Sequence, residues 1–205
     1  DTSGRLSVDR GSYVARLNRQ ETLLLRTVID EMSTIFDIRP QADFTGTWIE
    51  ASEPVAVLSG HECTYYPQNL GKCDHLEEQL FPLETWGQQF NLVPPPERGN
   101  SVFERVYWKF LGGAEGARVT LSAPFNELEA AGAGEPGVPD CGRLLDPNDP
   151  SVIVLGEEGY CELSSKKPFA VVADQPITVM GIWSGQDSVQ TNAGYGEHLG
   201  DPSIF

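Results

Sequence analysis

Positive charge is scarce in this sequence: 14 Lys and Arg stand against 30 Asp and Glu, and the formal net charge is −16 at pH 7. A chain this acidic repels phosphate backbones and anionic membrane surfaces. No Lys/Arg stripe offsets the charge, which argues against nucleic acid as a partner. Long apolar runs are lacking too, and none approaches the roughly 20 residues of a membrane helix, so no membrane insertion is expected. No Gly-rich loop leads into a helix to cradle phosphates, and no cofactor is expected. The Gly-x-Ser-x-Gly elbow is missing, Ser59-Gly60-His61 does not replace it, and no motif ties an Asp to a His. Adjacent acids such as Glu77 and Glu78 read as a solvated face in so acidic a chain. These absences point to a binding module and away from an enzyme.

The residues that are present favour strands. With 205 residues the chain can bury roughly 70% of its unfolded surface, so it does not depend on cysteines to fold. Its 21 Gly and 15 Pro suit strands joined by many turns. Residues 12–16 and 21–29 flank Asn18-Arg19-Gln20 and read as a hairpin. A helix over 22–36 is the rival, because Leu24, Val28, Met32 and Ile35 are spaced near the helical period. Residues 44–51 read as a strand, Ser52-Glu53-Pro54 as a turn, and 55–58 as a short buried strand. A loop-rich insert over 61–96, with one helical turn at 76–80, comes next. Residues 102–110 and 117–123 read as a hairpin around Gly112-Gly113-Ala114-Glu115-Gly116, and 130–139 as a flexible crossing. Residues 151–155 and 160–163 are a strand and its returning arm, followed by 169–173, a turn at Asp174-Gln175-Pro176, and 177–183.

Residues 49–57 and 171–179 match in order: strand, acid-containing Pro turn, strand, each followed by Ser-Gly and a long loop. The expected fold is therefore all-β, an antiparallel β-sandwich-like body of two pseudo-repeated units, residues 1–123 and 124–205, packed as one compact domain. Asp1 opens the chain without Met or an apolar signal segment, and an apolar segment begins just at its end. We read the chain as part of a longer secreted protein.

The run Asp43-Phe44-Thr45-Gly46-Thr47-Trp48-Ile49-Glu50-Ala51-Ser52-Glu53-Pro54-Val55-Ala56-Val57-Leu58-Ser59-Gly60-His61-Glu62-Cys63 carries the clearest signature. It is followed by Cys73-Asp74-His75-Leu76-Glu77-Glu78-Gln79-Leu80-Phe81-Pro82 and Trp86-Gly87. Together they resemble the N-terminal domain of the IgG Fc-binding protein family. The second unit, with its Gly-Asp-Pro-Ser ending at 200–203, looks like the family's later repeat. The resemblance implies an extracellular or cell-surface, β-rich module with an adhesive role toward a protein or glycoprotein ligand, as in mucus proteins.

Four cysteines allow three connectivities. Neighbour pairing, Cys63 with Cys73 and Cys141 with Cys161, is favoured because each pair lies within one candidate unit, and the resemblance also places the first pair together. Each bridge would add roughly 3 kcal/mol in the chain-entropy model. The rival is zinc on His61, Cys63, Cys73 and His75, a Cys₂His₂ set. Nine residues separate the cysteines, unlike the close C-x₂₋₄-C pairs of zinc sites, and an oxidising compartment favours the disulfide. With a disulfide, His61 and His75 would orient the loop, with Asp74 and Glu78 as partners, and His198 would be a solvated loop residue. The run Asp146-Pro147-Asn148-Asp149-Pro150 offers oxygen ligands without an EF-hand's central Gly or final Glu, so a Pro turn is favoured over calcium. The aromatic lead is Tyr65 and Tyr66 on the Cys-closed loop, where large rings suit protein or glycan recognition. Trp86 and Phe90 read as anchoring core. Two long loops, 63–73 and 186–201, are expected at one end of the body, and a structural spacer is the alternative role.

Overall fold

A computed structural model describes residues 13–27, 44–67, 73–96, 98, 104–128 and 138–185. Among them, strands and short 3-10 turns are the only regular elements, so the described fold is all-β. The strands are β1 (Leu58–Thr64), β2 (Asp74–Gln79), β3 (Gly87–Leu92), β4 (Val106–Gly112), β5 (Ala117–Leu121), β6 (Leu145–Asp146), β7 (Asp149–Leu155), β8 (Tyr160–Ser165) and β9 (Phe169–Trp183). β1 and β2 form a two-stranded antiparallel sheet; the other seven form one sheet, ordered β6-β7-β5-β9-β4-β8, with β3 also on β9. No helix among the described residues is long and apolar enough to cross a membrane.

The organising element is β9. Its first half pairs with β3 and with β5, and its second half pairs with β4. Gly112 lies opposite Ile177 and Val119 opposite Ala173, so β4 and β5 follow one another along β9 in a single direction. β8 and β7 answer them in the same way, with Leu111 opposite Tyr160 and Ala117 opposite Leu155. Three long strands are thus interrupted at one level: at 113–116, at 156–159 and at 174–176. The interruptions interlock. Gly112 N–H donates to Gly159 O at 2.8 Å, and Glu158 N–H to Gly113 O at 3.0 Å. In β9 the Asp174 carboxylate accepts the Arg118 amide at 2.7 Å, filling the place of a ladder acceptor. Pro176, which has no N–H, is tolerated at such a break.

The sheet curls at these breaks around the core. Val106, Trp108, Phe110, Val119, Leu121, Ile153, Leu163, Val171 and Ile177 are buried there together, with Leu92 and Phe169. Trp108 and Phe169 meet edge to face, their ring centroids 6.2 Å apart. Cys141 and Cys161 are bonded to each other within this core, both fully buried. At one margin Arg98 pairs with the buried Glu104, donates to Ser184 O, and lies 4.4 Å from the Trp183 ring centroid.

Several local expectations are corrected. Asn18 to Glu21 do turn, with Glu21 N–H donating to Asn18 O at 3.1 Å, but residues 13–27 carry no strand. The rival helix lies largely outside the described residues. Residues 44–51 hold a turn at Thr45-Gly46 and no strand, and Val55 is exposed where a short buried strand was expected. No described strand pairs with residues 44–51, so their β-prone side chains have no ladder to join, whereas Leu58 opens β1 and pairs with β2. The insert over 61–96 is not loop-rich: it holds β2, β3 and a 3-10 turn at Leu83–Thr85, and the helical turn expected at 76–80 is part of β2. The connections at 112–116 and 156–159 do not close hairpins, because β5 and β7 pair with each other and β4 with β8. Asp174-Gln175-Pro176 is a break within one strand and not a turn between two. Residues 171–179 lie in β9 whereas 49–57 carry no strand, so the two segments matched in sequence differ in structure.

Gly116 tests the interlocked level. Its φ is +70°, and a Cβ there would lie 2.4 Å from Leu155 O. Gly116→Ala meets both left-handed strain and a backbone clash, and should cost about 1–3 kcal/mol of unfolding free energy. Urea denaturation checks this; a midpoint equal to wild type would show that the level yields without cost.

Candidate functional site

The β1–β2 hairpin is built on a two-residue alternation. Its register places Leu58 opposite Gln79, Ser59 opposite Glu78, Gly60 opposite Glu77 and His61 opposite Leu76. Directly opposed residues share a face, so His61 and Leu76 lie on one side and Gly60 and Glu77 on the other. Leu76 is buried, which marks its side as the one facing the body. Cys63 and Cys73 are bonded to each other beyond this register, closing the hairpin's end. Unlike the buried Cys141–Cys161 bridge, this one lies at the surface, with Cys63 exposed.

The hairpin docks on the outer face of the large sheet. Register across β8, β4 and β9 aligns Ser164, Tyr107 and Ile182 in one row and Glu162, Lys109 and Met180 in the next. Tyr66, Leu76, Tyr107 and Ile182 form a second buried cluster, flanked by Met180. The Tyr66 ring meets Tyr107 edge to face at 5.0 Å. Its hydroxyl donates to the carboxylate of Glu162, a residue with no solvent exposure. Tyr66 O accepts from Gly185 N–H at 2.6 Å. Burial first and the Glu162 charge second, opposed by Arg105, push the Tyr107 hydroxyl pKa from 10.0 up to about 12.

The eight site residues singled out from sequence separate by environment. His61, Cys63 and His75 are exposed, Tyr65 and Cys73 are half-buried, and Tyr66, Cys141 and Cys161 are buried. His61 Nδ1 accepts the Cys63 amide at 3.1 Å. His75 Nε2 lies 3.3 Å from the Glu77 carboxylate. The two histidines thus contact hairpin groups. Cys63 and Cys73, bonded to each other, present no thiolates to zinc, and no metal-holding group of three or more His, Cys, Asp or Glu occurs among the described residues. His198 and residues 186–201 lie outside the described residues.

The Asp146–Asp149 segment is occupied by its own donors. Asp146 accepts from Arg118 at 2.6 Å and from Asn148 N–H at 2.8 Å, and Asp149 accepts from both the amide and hydroxyl of Ser151. These bonds hold both carboxyls below the usual carboxylate range: for Asp146 the Arg118 bond leads, for Asp149 the Ser151 hydroxyl. The segment is a self-satisfied turn between β6 and β7. Trp86 is half-buried, its indole N–H 3.4 Å from Phe81 O, and Phe90 packs against the main core.

Tyr107, Glu162 and Ile182 were missed from sequence, although a signal existed. In Val106-Tyr107-Trp108-Lys109-Phe110-Leu111 both parities are bulky, the pattern of a strand covered on two faces.

The family described as IgGFc binding protein matches residues 2–138. The chain belongs to that family. The match takes in the docked hairpin and β1 to β5, and stops before β6 to β9, which complete the sheet. A human protein named IgGFc-binding protein is 40% identical over 60 residues, 29% of this chain and 1% of that protein, so the chain spans only a small fraction of this relative. No solved structure matches the chain. The family name is that of binding proteins, and two disulfides fit an extracellular setting.

Tyr107 makes the docked face measurable. A hydroxyl whose pKa is raised on folding adds stability that is full below pH 10.0 and is lost as pH climbs through about 12. Absorbance titration should show a late-ionising tyrosine component that shrinks by one residue in Tyr107→Phe, and alkaline unfolding of that variant should begin at higher pH. A tyrosine titration with every midpoint near 10 would contradict the packing.

Proposed function

We propose that this chain is an extracellular adhesive module that recognises a protein or glycoprotein ligand through the disulfide-closed end of the β1–β2 hairpin. The observation that carries the reading is that end itself: a surface disulfide, the exposed His61 and His75, and the half-buried Tyr65, held by a buried neighbour. Tyr65 offers ring area at small entropic cost, and the exposed histidines add polar atoms on the same hairpin. Tyr66, the adjacent aromatic, serves in this reading as the anchor, since its ring and hydroxyl are engaged with Tyr107 and Glu162. Anchoring next to the contact surface limits the entropy that binding would have to remove.

Membership in a family of binding proteins supports the class of activity. The human relative's name is that of a binder of IgG Fc; the ligand class proposed here is wider, a protein or glycoprotein met outside the cell or in mucus. We read the chain as non-enzymatic, as part of a longer secreted protein, and as one compact unit. The second reading is a structural spacer, favoured by the continuous β body.

Immobilised chain probed with mucus glycoproteins and cell-surface protein arrays separates the two. The expected result is a retained ligand whose affinity falls about tenfold or more in Tyr65→Ala, as for a contact residue at the centre of a small interface. Retention at full affinity by Tyr65→Ala would move the site away from the hairpin end. Retention of nothing would leave the spacer.

A further inference from the structure

The hairpin has a second surface, distinct from its closed end. Leu80 N–H donates to Val57 O at 2.9 Å, so the β1–β2 ladder runs on below Leu58 and Gln79. Alternation then divides the side chains. Val57, Ser59, His61, Leu76, Glu78 and Leu80 share the side on which Leu76 is buried. Leu58, Gly60, Glu77, Gln79 and Phe81 share the opposite side, and the register shifts beyond His61. On that outward side Leu58 is 59% exposed and Phe81 70% exposed. No described strand lies over them. A Leu and a Phe held open on a two-stranded sheet, beside the Glu77 carboxylate, make a sheet face that no described strand covers.

Charge decides what suits it. Residues 44–96 contain seven acids and one base, Lys72. The same hairpin already meets a cation of its own chain: Arg26 lies 2.6 Å from the Glu62 carboxylate, at the register shift beyond His61. Glu77 stands on the outward face itself. A second copy of this chain is a poor occupant, since each carries a net charge of −16, and anionic lipid or acidic glycan would be repelled in the same way.

We propose that the outward face of the β1–β2 hairpin is a docking surface for a cationic polypeptide segment of a partner protein, one that presents Lys or Arg beside apolar side chains. Leu58 and Phe81 receive the apolar side chains, and Glu77 receives the cation. Opposite charge guides encounter and register, while the two apolar groups supply the buried area. The inference rests on reading the chain as a protein-binding module, but it uses none of the closed-end residues.

The test uses the full chain and three short synthetic peptides: Lys alternating with Leu, Lys alternating with Ser, and Glu alternating with Leu. Fluorescence anisotropy should show binding of the Lys-Leu peptide alone, weakening with added salt. Phe81→Ser and Glu77→Lys should each weaken it about tenfold, and Tyr65→Ala should leave it unchanged. Glu157→Lys, the same charge change in the exposed turn after β7, is the control and should have a far smaller effect. Equal binding of the Lys-Ser peptide, equal weakening by Glu157→Lys, or no binding of the Lys-Leu peptide would each overturn the proposal. Loss on Tyr65→Ala alone would overturn it too, and would assign the peptide to the closed end. Circular dichroism of each variant verifies folding, which substitution of the exposed Phe81 and Glu77 should leave intact.

Discussion

The fold depends on the hydrogen bonding of one strand. β9 runs for 15 residues and is bonded along its length, to β3 and β5 in its first half and to β4 in its second. An apolar strand buried without such partners would leave a row of peptide groups unsatisfied, each at a penalty of about 1–3 kcal/mol. β9 is also the last described strand in sequence. The pairs that complete the sheet, such as Leu121 with Val171 and Gln89 with Val172, join residues far apart in the chain. Ordering that many residues before the ladder closes is entropically expensive, and a fold with such non-local pairing should form slowly for its size.

The same dependence explains the common level at which three strands break. If β4 and β5 were continuous while β9 was interrupted by Pro176, the registers on either side would fall out of step. Instead the extra residues at 113–116, 156–159 and 174–176 face one another, and their orphaned groups are met by Gly159 O, Gly113 O and the Asp174 carboxylate. Matched breaks keep each half in register and let the sheet curl so that Trp108, Phe110 and Val171 enclose one core. The cost is a close approach of backbones, which is why Gly116 can carry no side chain.

What was legible in the sequence follows from which forces are local. The all-β class, and the positions of β4, β5, β7 and β8 to within a few residues, could be read from alternation and from Gly and Pro punctuation, because those reflect backbone preference over a handful of residues. The partners could not. Gly112-Gly113-Ala114-Glu115-Gly116 looks like a hairpin turn in isolation, and becomes a break only because β9 and β8 supply partners from far downstream. Residues 44–51 have strand chemistry, yet a strand exists only where a neighbour accepts its hydrogen bonds. For the candidate site, the family motif marked the stretch that holds the hairpin, which read as a loop, and spacing narrowed the cysteine alternatives. The adjacent tyrosines were beyond local reasoning, since only the tertiary position of Tyr107 and Glu162 distinguishes the anchor, Tyr66, from its half-buried neighbour.

That division of labour has a physical consequence for a module that binds. The hairpin touches the body through few side chains, chiefly Tyr66 and Leu76, and its remaining surface takes no part in the core. Substitutions at Leu58 or Phe81 therefore leave the stability of the large sheet almost untouched, because surface changes away from packed or bonded groups usually shift it by no more than about 0.5 kcal/mol. The disulfide at the hairpin's end narrows the conformations available when it is not bound, independently of which side chains surround it. A surface so insulated from the core can change its ligand chemistry without endangering the fold. In a strand such as β8, where Cys161, Glu162, Leu163, Ser164 and Ser165 are all buried, no such freedom exists.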